Sequence, residues 1–252
     1  MKIRRTFKYR LYRSKRDKHL HGQINVVGLI WNHCIALQRR YYALTGKYIP
    51  KYTLSPHILK LRRTSHVHWQ ALGSQACQNV AERLDKAYQR FFVSCKDGGA
   101  KVGRPTFKKI AKYKSYTLKQ SSWKLLGGNR IRLHKHTYKF VKHREIKGDI
   151  KTVTVKRDRL NRLWVTFSVI EDLPKPNEAS TGKIGGFDFG LKTFLTNNEG
   201  HTTSLPEFFK AGMNKIACLN RALSRKAVDS NNRRKARQKL GRAYDKIKNQ
   251  RR

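Results

Sequence analysis

Acids are scarce in this chain. Its 252 residues carry 15 Asp and Glu against 58 Lys and Arg, for a formal charge of +43. A free compact protein with that surplus repels itself, so a polyanionic partner is implied. Paired cysteines are missing as well. Cys34, Cys77, Cys95 and Cys218 lie far apart with no C-x-x-C between them. Their scatter argues against a disulfide framework or a zinc site, and they read as reduced packing thiols of a cytosolic protein. Three of them fall in helical patterns, with Cys95 just past the end of one. No apolar stretch approaches the roughly 20 residues needed to span a membrane. MKIRRTFKYRLYRSK has no apolar core of the kind a secretory signal needs. There is no internal repeat and no low-complexity tract. The ten histidines are dispersed. His134 and His136 alternate with Arg132 and Lys135 and read as the polar face of a strand, with metal binding the less favoured alternative.

What is present is enough apolar material for real cores: 38% hydrophobic residues, with 11 Tyr, 11 Phe and 4 Trp. Wholesale disorder is thereby excluded. The length suits one large domain or two to three small ones. Nucleic acid is the natural polyanion, because each phosphate neutralised releases a condensed counterion.

Along the chain, Ile3, Phe7, Tyr9 and Leu11 alternate with basic residues and predict a strand over 2–12. Ser14 offers a helix N-cap, with Asp17 near the helix's positive end. Leu20, Ile24, Val27, Trp31, Cys34, Leu37 and Tyr41 then recur in steps of three and four, up to a stop near Gly46. A second helix follows Leu72, Ala76, Val80, Leu84, Tyr88 and Phe91 and ends before Gly98-Gly99, with a long loop between the two helices. From GRPTFKK (103–109) onward the character changes. After a basic turn with a buried-looking Phe107 come short alternating segments and turn signals, a meander of antiparallel strands. Within the last of these Val165, Phe167 and Val169 face one way, and Trp164, Thr166 and Ser168 the other.

The expected architecture is an α+β multidomain chain. Residues 1–13 with 97–173 form a small antiparallel β-barrel, and 14–96 form a helical recognition module inserted in it. A linker occupies 174–181. In 182–252, strands from KIGGFDFG, Lys192–Asn198 and a third segment precede two helices with fifteen Lys and Arg from Lys210 onward, against Asp229 and Asp245.

Asp188 stands alone among apolar and glycine residues in IGGFDFGLKTFLTNN. Buried acids are paired, hydrogen-bonded or metal-bound. One reading is a structural Asp accepting from backbone amides of its glycine-rich surroundings. The other is a metal ligand: Mg²⁺ takes hard oxygen donors, with one or two carboxylates plus phosphate oxygens. Two such ions can support in-line phosphodiester cleavage. Glu199, Glu207, Asp229 and Asp245 lie in a turn or at basic helices and do not complete such a centre.

In order, FKYRLYRSKRDKHL, the Trp31-Asn32 helix, NVAERLDKAYQRFF, VGRPTFKK and IGGFDFGLKTFLT resemble the TnpB (OrfB) transposon-associated family, relatives of type V CRISPR effector nucleases. Arg13 stands where a proline is common in that family. GFDFGLK resembles the first motif of its RuvC-like, RNase H-fold nuclease domain. The resemblance implies that Asp188 is the first catalytic, metal-binding aspartate, with Mg²⁺ as cofactor. It also implies a wedge-like role for the barrel, a partial RuvC-like domain over 182–252, a guide RNA from the transposon end, a double-stranded DNA target and a prokaryotic cytoplasmic, nucleoid-associated location. The family's second glutamate, zinc ribbon and third aspartate have no counterpart here, so a C-terminally shortened member without its own zinc site is expected.

Arg10, Arg39, Arg40, Tyr42, Arg104, Lys108, Lys109, Lys112 and Tyr113 are the candidate nucleic-acid contacts. Lys and Arg track phosphate, and exposed Tyr can stack on unpaired bases. The alternative for each is a solvated charge or a core tyrosine. The function expected is that of a TnpB-like guide- and target-binding protein of endonuclease ancestry. The competing expectation is a non-catalytic DNA- or RNA-binding regulator; a ribosome-associated protein fits Asp188 less well.

Overall fold

In a computed structural model of the chain, residues 1–98, 102–174, 182, 184–191, 193–204 and 207–250 are described. They divide into two units, Met1–Pro174 and Lys175–Arg252. Helices and antiparallel sheets make up both.

The first unit opens with β1 (Lys2–Arg10), whose Phe7 and Tyr9 point into the core. Three helices follow: α1 (Asp17–Thr45), α2 (Lys51–Arg63) and α3 (Ser74–Lys96). Six strands come next: β2 (Ser115–Leu118), β3 (Trp123–Leu125), β4 (Arg130–Leu133), β5 (His136–Lys139), β6 (Asp149–Arg157) and β7 (Leu163–Asp172). β1 pairs with the last of them in a four-stranded sheet ordered β1-β7-β6-β2, and β3-β4-β5 forms a second sheet. In β7, Leu163, Val165, Phe167 and Val169 are buried while Trp164, Thr166 and Ser168 are half-buried, the alternation read from the sequence. Each fully buried aliphatic or aromatic side chain of this kind stabilises by about 1.5–3 kcal/mol.

A bridge from Leu11 to Phe140 and the backbone bonds beside it join the end of β1 to the end of β5. On the other side the chain turns between β2 and β3 through Ser122, at φ 72°, and no ladder joins those strands among the described residues. A closed barrel is therefore not formed there, contrary to expectation.

Other details differ too. α1 starts at Asp17 with Arg16 as its cap, and the Ser14 hydroxyl donates to the Asp17 carboxylate (2.9 Å) instead of accepting from the helix backbone. Gly46 ends α1 as predicted: its φ of 66° is the left-handed conformation glycine adopts freely, and its N–H returns to Tyr42 O. The expected long loop after it contains α2, which buries Leu54 and Ile58 one turn apart against α3; Pro56 inside the segment masks its helical signal. Cys95 belongs to the last turn of α3. His134 sits at a turn with φ 51°, off the strand face. Histidines dispersed in sequence converge: His33 Nε2 lies 3.2 Å from His57 Nε2. Even so, no cluster of three or more His, Cys, Asp or Glu able to hold a metal occurs among the described residues.

In the second unit β8 (Phe187–Asp188), β9 (Leu195–Asn197) and β10 (Thr202–Thr203) form an antiparallel sheet ordered β10-β9-β8. These strands are shorter than expected, and Lys183 and Lys192 lie outside the described residues, as does the linker after Pro174. Two helices follow, α4 (Phe208–Ser224) and α5 (Asn231–Gln250). They pack through Ile216 and Ile247, the two buried side chains of the pair. Gly212 allows their approach, because a Cβ there would fall 2.6 Å from Ile247 Cδ1.

No helix among the described residues is long and apolar enough to cross a membrane.

Candidate nucleic-acid interface

The basic segment 104–114 is seated on one face of α1. Asn25, Gly28, Trp31 and Asn32 recur at three- and four-residue steps, so they share that face. Gly28 permits close approach: a Cβ there would be 3.3 Å from Tyr113 Cβ. Trp31 Nε1 donates to Thr106 O at 3.1 Å. The Asn32 amide bonds both ways to Lys108, donating to its carbonyl and accepting from its N–H, each at 2.9 Å. From beneath, buried Arg157 donates to Tyr113 O at 2.9 Å and to Asn25 Oδ1 at 3.1 Å. The turn is thus tied to the helix like an extra strand, which limits the backbone entropy it must lose on binding a partner.

This seating arranges the cations. Lys108 Nζ lies 4.0 Å from the centroid of the Trp31 ring. The Lys108 side chain is exposed as a whole, but loss of water around its ammonium, followed by repulsion from Arg83, lowers its pKa. Arg83, from α3, reaches Ser115 O (2.8 Å) and Thr117 Oγ1 (2.7 Å). A cavity of about 460 Å³ is lined by Trp31, Arg83, Lys108, Lys112, Tyr113 and Lys114 among others. No carboxylate pairs with any of its four cations among the described residues.

The predicted contacts divide accordingly. Lys108 and Lys112 line this cavity, and exposed Lys109 and Arg104 flank it in sequence. Tyr113 also lines it but is 7% exposed, so it is a wall and not a stacking platform as expected. Phe107 is 49% exposed, not buried, and lies beneath the Arg39 guanidinium at 4.7 Å. Arg40 and Tyr42 are exposed near the end of α1, where Tyr42 keeps a free face. Arg10 is exposed at the end of β1. Sequence reading missed Asn32, Arg83 and Lys114 as members of this site. The adjacent Trp31-Asn32 pair on a helix face was the available signal.

Asp188 is placed differently from expectation. It pairs in register with Thr196 on β9 and is exposed, as are Ile184, Phe187, Phe189 and Leu191 around it. The carboxylate therefore keeps its water, and the cost of burying a charge does not arise. The cysteines divide as packing demands: burial pushes the Cys34 thiol up to about 12 and that of Cys77 up to about 11. Cys95 and Cys218 are exposed.

Residues 152–252, which include Asp188 and both basic helices, match the OrfB_IS605 family model, described as "Probable transposase". Across most of its length the chain is also similar to two curated proteins. It is 25% identical over 225 residues to "Putative RNA-guided DNA endonuclease InsQ" of Escherichia coli (strain K12), covering 88% of this chain and 54% of that protein. It is 24% identical over 258 residues to a "Putative RNA-guided DNA endonuclease" of Streptomyces pristinaespiralis, covering 99% of this chain and 61% of that one. The chain is thus similar to TnpB (OrfB) proteins. It spans little more than half the length of these relatives. Among solved structures it is similar to a Cas12f1–sgRNA–target DNA complex (TM-score 0.40, 12% identity, 98% of this chain and 65% of that chain). It is also similar to a CRISPR–Cas12f ternary complex (TM-score 0.43, 14% identity, 93% and 58%).

Proposed function

We propose that this TnpB-like chain binds a guide RNA transcribed from a transposon end and a double-stranded DNA target, and descends from RNA-guided DNA endonucleases. The observation that carries the reading is the family match over 152–252 in a chain of charge +43 whose basic turn is held rigidly without acidic partners. In this reading 1–13 with 97–173 form a wedge-like domain. Residues 14–96 form the recognition module, 174–181 the linker and 182–252 a partial RuvC-like domain with a basic helical hairpin. The chain works in the prokaryotic cytoplasm, at the nucleoid.

Asp188 is proposed as a ligand for a divalent cation, Mg²⁺ by the hardness of its oxygen donors. One exposed strand carboxylate fits a cation that takes its remaining ligands from phosphate and water. It does not fit a two-metal centre, because no three His, Cys, Asp or Glu come together among the described residues. No cleavage step is derived from these residues. That same observation favours a second reading, a non-catalytic DNA- or RNA-binding regulator.

The test is a gel-shift and cleavage assay of the purified chain with transposon-end RNA and a guide-matched duplex, with and without Mg²⁺. Binding followed by cleavage that Asp188→Asn abolishes selects the endonuclease. Binding without cleavage selects the regulator. Failure to bind either nucleic acid at physiological salt removes both readings.

A further inference from the structure

The seated turn forms more than a general basic surface. Lys108, Lys112 and Lys114 come from one segment, and Arg83 comes from α3 across the cavity. The four cations line a space of about 460 Å³, large enough for a backbone phosphate. Its apolar wall is Trp31 and Tyr113, both buried, so bases cannot stack there and the backbone is what fits. The cations meet no carboxylate among the described residues, so a phosphate entering the cavity displaces no existing ion pair.

Asn32 makes none of these charged contacts. It holds the Lys108 backbone at two points across 76 residues of chain. Lys108 is thereby kept against Trp31, facing Arg83.

We propose that the cavity between α1, α3 and residues 106–115 is a dedicated clamp for a nucleic-acid backbone phosphate, with Lys108, Lys112 and Arg83 as its contacts and Asn32 as the residue that positions Lys108. This rests on the nucleic-acid-binding reading and adds to it one defined site and one uncharged determinant. The phosphate belongs to the RNA or to the duplex, and the assay separates the two.

The test is fluorescence anisotropy of the full chain with a labelled single-stranded RNA and, separately, a labelled DNA duplex, between 50 and 300 mM salt. For the strand that occupies the clamp, Lys108→Ala/Lys112→Ala should reduce the slope of log affinity against log salt by about 1.4 if it is single-stranded RNA, or about 1.8 if it is duplex DNA. Lys147→Ala is the charge control. Lys147 is exposed just before β6, roughly 25 Å along that strand from Arg157, and its removal should leave the slope unchanged. Asn32→Ala should weaken binding roughly tenfold in the otherwise native chain, but less than about twofold in the Lys108→Ala/Lys112→Ala background. A merely structural asparagine would give the same factor in both backgrounds. A slope change for the lysine pair no larger than twice that for Lys147, or an additive Asn32 effect, would overturn the clamp while leaving nucleic-acid binding intact. Absence of binding by the native chain would instead remove the underlying reading.

Discussion

Replacing Arg157 with methionine measures how firmly the basic turn is held from below. Arg157 is 8% exposed, and burial lowers its pKa, a sign that its charge is poorly solvated. Its Nη2 carries two hydrogens and faces Tyr113 O at 2.9 Å, Asn25 Oδ1 at 3.1 Å and Ala111 O at 3.5 Å, so two good bonds and one marginal one are at stake. Methionine keeps most of the alkyl volume but strands these acceptors. A hydrogen bond from a charged donor contributes about 1.5–3 kcal/mol, so two at the low end give about 3 kcal/mol. Relief from burying the guanidinium offsets about 1 kcal/mol, leaving a net loss of about 2 kcal/mol. All four tryptophans (Trp31, Trp69, Trp123 and Trp164) lie in the first unit, so tryptophan fluorescence reports on that unit alone during urea unfolding. With an m-value of about 2 kcal/mol/M, the midpoint should fall by about 1 M. An unchanged or raised midpoint would mean that desolvating the charge cancels both bonds, and that the turn is anchored by α1 without Arg157.

Three further outcomes are expected. Asp158 closes the β6–β7 turn by accepting from Leu160 N, Arg162 N, Arg162 Nε and Trp164 Nε1. Burial raises its pKa, but the bonds from Trp164 and Arg162 outweigh that and hold it below its ordinary 3.8. The depressed value means that its stabilisation is present above about pH 4 and is lost as pH falls through the folded pKa. Asp158→Asn should flatten that part of the acid-unfolding curve followed by tryptophan emission. In a thiol titration with a disulfide reagent, Cys95 and Cys218 should react in the native chain, while Cys34 and Cys77 should react only in urea. Gly148→Ala should lower the melting temperature by several degrees. Gly148 has φ of 90°, and a Cβ there would fall within contact-forbidden distance of Ile170 O, a combined cost above about 2 kcal/mol.

How much of the site was legible depended on the range of the interaction behind each residue. The basic turn was visible because GRPTFKK is contiguous, and Gly46 was visible because a helix stop is a local matter of φ. Asn32 was not, since its partner lies 76 residues away, and its place beside Trp31 on the helix face marks the position without naming that partner. Tyr113 was taken for a surface residue because its neighbours are charged, yet Gly28 opens a gap in α1 that the tyrosine fills. For Asp188 the error ran the other way. Apolar neighbours suggested burial, but a strand of two residues in a three-stranded sheet leaves Phe187, Asp188 and Phe189 in water.

The sequence by itself pointed to a polyanionic partner, through its large positive charge, and determined the helical and strand periodicities of the long elements, through residue spacing. It also carried the motif around Asp188, one of the segments on which the resemblance to the TnpB family rests. Only the tertiary structure decided that β1 pairs with β7, that the sheets stay open, and that Arg83, Lys108 and Lys112 face one cavity. Periodicity assigns each side chain a face of its own element. Which faces meet depends on packing between segments far apart in the chain, and that packing is a property of the whole folded unit.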